Sequence, residues 1–251
     1  MFRHQGKKRT FKHNLQIASF LSLVAGMVNV VGFLSIQLLT TNITGHFTFL
    51  LDTMLTLHMW EAFRFFLYIF FFFFGSFFSS FLIEFTSEKY PNTIFLIPIV
   101  IESLIFFLLP FLVEWELIQR SDFLGCTLLF AMGLQNSLVT TISNATVRTT
   151  HLTGLFTDLG IEISQLFFYK KSEQRKKLHS SIKLWLTIIA FFFLGGISGG
   201  ILYAYIQLKV LLIASSVLFA GVLFSKVKLE LLLYWRRKAS RKQRYRNSQI
   251  K

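Results

Sequence analysis

The chain has a single cysteine, Cys126, inside an apolar run, so it forms no intramolecular disulfide and no cysteine-based metal cluster. Cys126 is read as a small apolar residue. Charge is also scarce. Only 15% of residues are charged, against about 25% in an ordinary soluble domain. Acidic residues are the rarer kind, 12 against 26 basic. Catalytic arrangements are missing too: no His/Cys ligand cluster, no Gly-Lys-Ser/Thr phosphate loop, no serine elbow, no paired catalytic carboxylates. These absences argue against an enzyme and leave no metal or cofactor to expect. No alternating apolar and polar pattern competes for a barrel reading.

What the chain has instead is apolar bulk. It is 53% hydrophobic, with Phe at 32 positions. The charges sit in three blocks: Arg3 to Lys12, Lys170 to Lys183, and Lys226 to Lys251. That segregation marks an integral membrane protein. The net charge of +14 then points to the lipid bilayer as partner and not to nucleic acid, because the basic residues flank apolar spans.

Six stretches are long enough to cross about 30 Å of hydrocarbon. They are residues 15–36, 63–83, 93–113, 121–142, 182–204 and 208–225. The first is longer than a signal peptide core and no A-x-A cleavage site follows, so it is read as a retained span. Asp52 and Glu61, then Glu114, Glu116 and Asp122, place two links outside. The basic blocks place both termini in the cytoplasm. The expected parts are a basic cytoplasmic start (1–14), three spans (15–113), an external link (114–120), three spans (121–225) and a basic cytoplasmic tail (226–251).

The sequence repeats itself. TTNITGHFT (40–48) returns as TTHLTGLFT (149–157), with six of nine positions identical. Upstream, Gly26-Met27-Val28-Asn29 echoes Gly133-Leu134-Gln135-Asn136. Downstream, Gly75-Ser76 and Ser79-Ser80 echo Gly195-Gly196 and Gly199-Gly200. An odd number of spans per half turns the second half upside down. The expected fold is therefore an all-α polytopic bundle of six transmembrane helices, built as two inverted three-helix repeats. Short amphipathic or re-entrant helices should follow the first and fourth spans.

The candidate site residues come from this repeat. Asn29 and Asn136 lie inside spans at matching places; they either bind a solute or hydrogen-bond helix to helix. Thr41, Thr44, Gly45 and Thr48 fall at helical spacing, as do Thr150, Thr153, Gly154 and Thr157. They either offer hydroxyls and helix-start N–H groups to a polar ligand or serve as caps and packing surface. His46 and His151 flank the stretches without matching each other. Glu102, between Pro98 and Pro110, is the one acid near mid-span and the candidate proton relay. Arg64 should snorkel to the surface, and Asp158 and Glu162 should pair with nearby cations.

Gly26, Asn29-Val30-Val31-Gly32-Phe33 and Thr44-Gly45 resemble the first signature of the YoaK-like family of bacterial multi-pass membrane proteins. Ala131 to Asn136, then Val147 to Thr150 and Thr153-Gly154, resemble the second. The resemblance covers roughly 15–225 and implies a bacterial cell-membrane location, about six helices and no assigned activity. Members often carry an acid where this chain has Asn29, so a proton-carrying role is not expected there. Two readings follow. The first is a secondary transporter or permease for a small solute, compatible with a homodimer. The second is a non-transporting scaffold or sensor whose basic tail docks lipid or a partner.

Overall fold

The computed structural model describes residues 10–87, 94–114, 121–143, 145–224 and 227. The basic start before residue 10, most of the 114–120 link and nearly all of the tail lie outside the described residues. Within them the chain is helical and has no strand. The helices are α1 (Phe11–Ile36), α2 (Ile43–Leu55), α3 (Met59–Ser87), α4 (Leu96–Glu114), α5 (Ser121–Ser143), α6 (Leu152–Phe168) and α7 (Ser172–Ile206). A short 3-10 turn, Gln207–Lys209, separates α7 from a last helix, α8, over residues 210–224. Gln207 has a positive φ of 48°, which breaks the helix there.

Among the described residues, five helical stretches are long and apolar enough to cross a membrane, the last of them being α7 and α8 taken together. Burial supports that environment. Only five residues of α3 are buried: Ala62, Tyr68, Gly75, Ser79 and Ile83. They form one narrow stripe. The remaining surface exposes Phe66, Phe70, Phe73, Phe77, Phe81 and Phe85, which water would not tolerate as a continuous patch but lipid would. The chain is an integral membrane protein.

α1 and α5 occupy the interior. α7 packs on α1, and α3 packs on α5. These two contacts are built the same way. A Cβ added at Gly26 would strike the Phe192 carbonyl, and one at Gly195 the Leu23 carbonyl. A Cβ at Gly133 would strike the Phe72 carbonyl, and one at Gly75 the Phe130 carbonyl. Four glycines thus let two helix pairs touch backbone to backbone, as small residues do in membranes where no hydrophobic force separates helix from lipid. α4 and α8 meet through serines: Ser103 Oγ donates to the Ser215 carbonyl (3.0 Å) and Ser215 Oγ to the Ser103 carbonyl (2.7 Å).

The basic run from Ser172 on forms the first turns of α7, so the helix that holds the expected fifth span begins well before 182. Arg64 keeps 38% of its side chain exposed near the start of α3. Its Nε donates to Asp122 Oδ1 at 2.7 Å, and Tyr68 donates to the same oxygen at 2.9 Å, so an α5 carboxylate anchors the partly exposed cation.

The glycine contacts predict a sharp contrast. Gly133→Ala or Gly26→Ala should lower the melting temperature of the detergent-solubilised chain, at a cost of about 1–3 kcal/mol from overpacking. Gly160→Ala, with nothing within 4 Å of the added methyl, should be neutral or gain about 1 kcal/mol. Thermal unfolding followed by tryptophan fluorescence compares them.

Candidate functional site

The two threonine stretches start inside the bundle, where Thr40 and Thr149 are fully buried. Asn29 stands two turns before the end of α1, which is about 10 Å at 1.5 Å per residue. Its Oδ1 accepts from both the backbone N–H (3.2 Å) and the hydroxyl (2.9 Å) of Thr41. The chain has therefore turned back into the bundle after α1. Gln37, with a positive φ of 55°, makes the turn. Asn136 stands equally far from the end of α5, and its Oδ1 accepts from the Thr150 hydroxyl at 3.0 Å. Each asparagine holds the start of a short helix, α2 or α6, at depth.

α2 then climbs back along α3. Ile43 and Phe72 line one groove, His46 lies against Phe65 and Tyr68, and Phe49 against Phe65. α6 packs on α7 in the same manner, with the Trp185 indole donating to Glu162 at 3.0 Å. Glu162 was expected to meet a cation; the nearby tryptophan N–H satisfies it instead.

The helical stripe expected of each stretch is only partly present. Thr41 and Thr150 precede the helices and face their asparagines. Gly45 N–H is capped by Asn42 Oδ1 at 3.0 Å, and Gly154 lies under the ring of His151, the residue before α6. Thr44, Thr48, Thr153 and Thr157 are exposed, and Thr48 and Thr157 donate to carbonyls one turn back, at Thr44 and Thr153. The α2 and α6 starts thus adopt capping geometry. His46 is buried, and its Nε2 sits 2.9 Å from the Leu39 carbonyl.

The two asparagine ties stay apart. Gln135 Nε2 donates to the Leu21 carbonyl (2.9 Å), while a Cβ at Gly32 would lie 3.6 Å from Leu128, so α1 and α5 run antiparallel. Asn29 lies eight residues beyond Leu21, which separates it from Asn136 by about 12 Å along the helix axes. The interior also holds polar atoms with no hydrogen-bond partner among the described residues: Gln135 Oε1, Thr40 Oγ1, Ser22 Oγ, Ser79 Oγ, His46 Nδ1 and both oxygens of Glu102. Glu102 is fully buried, next to the Ser103–Ser215 pair.

Sequence reasoning did not single out Gln135, Ser103 or Ser215. The echo that pairs Asn136 with Asn29 sets a valine, Val28, opposite Gln135, so the repeat hides the glutamine. The serine pair joins residues in dissimilar surroundings, and only the packing of α4 on α8 reveals it.

Both ties use only an asparagine carbonyl oxygen, so a carboxylate should replace it. Asn29→Asp is expected to keep the start of α2 protected, whereas Asn29→Leu should release it, at a cost of about 0.6–2 kcal/mol. Hydrogen exchange over residues 40–48 distinguishes them; equal protection in both variants would show that the tie does not hold α2.

No curated protein and no solved structure matches the chain. Residues 17–224, from within α1 to the end of α8, match the family described as protein of unknown function (DUF1275), which agrees with the YoaK-like resemblance. The chain belongs to this family.

Proposed function

We propose that the protein crosses the membrane six times, as two three-span halves of opposite orientation, and acts as a secondary transporter or permease for a small solute. One observation carries this reading: two short helices, α2 and α6, begin at depth on matching asparagine–threonine ties and leave toward opposite ends of the bundle. Broken helices that start near mid-membrane, in halves of opposite orientation, are a recurring construction of secondary transporters. The reciprocal helix contacts support the same reading, because α1 meets α7 as α5 meets α3.

In this reading Asn29 with Thr41 and Asn136 with Thr150 are two polar stations on one route, reached from opposite sides. Thr44, Gly45, Thr153 and Gly154 shape the helix starts beside them. Glu102 is the coupling group, since an intramembrane acid without a counter-charge is costly to keep for packing alone. Opening one side requires α2 to leave Asn29, and opening the other requires α6 to leave Asn136. Rocking of one half against the other exchanges the two states.

Proteoliposomes holding the full chain and a pH-sensitive dye test this against a panel of small polar solutes. Solute flux is expected with the unaltered protein and should fall at least about tenfold in Asn29→Ala plus Asn136→Ala, the loss of roughly 1.4 kcal/mol of binding. Unchanged flux in that double variant would remove the proposed stations. Glu102→Gln should abolish the accompanying dye response. Deleting residues 236–251 should leave flux intact, whereas a scaffold or sensor would lose its partner.

A further inference from the structure

Four basic side chains gather where α7 projects past the start of α1. Gly26 packs beside Phe192, so Phe11 at the head of α1 lies near the level of His179, and the first turns of α7 run beyond it. There Lys170, Arg175, Lys176 and Lys183 line a cleft of about 570 Å³, with His179 and Phe11 completing it. Among the described residues, no acidic one lines the cleft. Among the described residues, none of these four cations has a carboxylate partner; the neighbouring Lys177–Glu173 pair points elsewhere on the helix. The cations are therefore left to attract an anion.

We propose that this cleft binds the phosphate-bearing headgroup of an anionic phospholipid. The helix face that carries the cleft decides between lipid and a soluble anion. His179, Lys183, Leu186, Phe193, Ile197 and Ile201 follow one another at spacings of three, four and seven, which puts them on one side of α7. Leu186, Phe193, Ile197 and Ile201 are all exposed, Phe193 at 66%. A cationic recess thus opens directly onto an apolar, unpartnered strip of the same continuous helix. A soluble phosphate would use only the recess, whereas a phospholipid matches both parts: headgroup on Lys176 and Lys183, acyl chain along Leu186 to Ile201. Basic recesses beside spans are suited to such headgroups, each cation adding substantially to the attraction. The assignment stands whether or not the protein transports a solute.

Purified full-length chain in neutral detergent, titrated with dioctanoyl phosphatidylglycerol, dioctanoyl phosphatidylcholine or inorganic phosphate and read by native mass spectrometry, tests it. Phosphatidylglycerol should bind at least about tenfold more tightly than phosphatidylcholine. Lys176→Gln plus Lys183→Gln should erase that preference while leaving the melting temperature unchanged, because both side chains are exposed. Deleting residues 236–251, which removes more positive charge than the double variant, should preserve it. Equal binding of the two lipids would overturn the proposal, as would a preference that survives the lysine changes or vanishes with the tail. Inorganic phosphate binding as tightly as phosphatidylglycerol would reassign the cleft to a soluble anion.

Discussion

The arrangement depends on the direct contact of helix backbones at four glycines. In lipid, apolar side chains gain little by meeting one another, so helices associate through close packing and hydrogen bonds. Gly26, Gly75, Gly133 and Gly195 remove the side chains that would hold α1 from α7 and α3 from α5. The asparagines stand one turn further on, three residues after Gly26 and Gly133. The crossings therefore set the depth of Asn29 and Asn136, and these set the depth at which α2 and α6 begin. A shift at the glycines would move both asparagine ties.

The polar interior divides into satisfied and unsatisfied parts. Asn29, Asn136, Ser103 and Ser215 use hydrogen bonds to join elements, and such bonds rank as structural glue in a membrane. Glu102, Thr40, Ser22 and Gln135 Oε1 have no such use among the described residues. A buried polar atom without a partner costs about 1–3 kcal/mol. That cost gives the transport reading its physical basis at Glu102, while the geometry of the threonine stretches is explained largely by capping.

The outside of the bundle is organised as well. α3 turns most of its phenylalanines to lipid, and α7 carries an apolar strip that ends in cations. The basic residues from Ser172 on lengthen α7 relative to α3. The extra length sits at one end of α7 and leaves the glycine contacts of the two helix pairs alike.

Much of the fold was legible in the residues alone. Apolar length placed the spans, since about 20 such residues must be satisfied inside hydrocarbon by a helix. The echo of Gly26–Asn29 in Gly133–Asn136 marked residues that make alike glycine contacts and asparagine ties, because contacts built on the same backbone geometry require the same small and polar residues. Asn29, Asn136 and Glu102 stood out because polar groups are rare in such spans. Tertiary structure alone decided what each of them touches. A helical spacing could not show that Thr41 lies outside α2, that Arg64 meets Asp122, or that the two asparagines stand about 12 Å apart along the helix axes. Those facts follow from how the chain turns at Gln37 and how far α1 slides along α5, and long-range packing sets both.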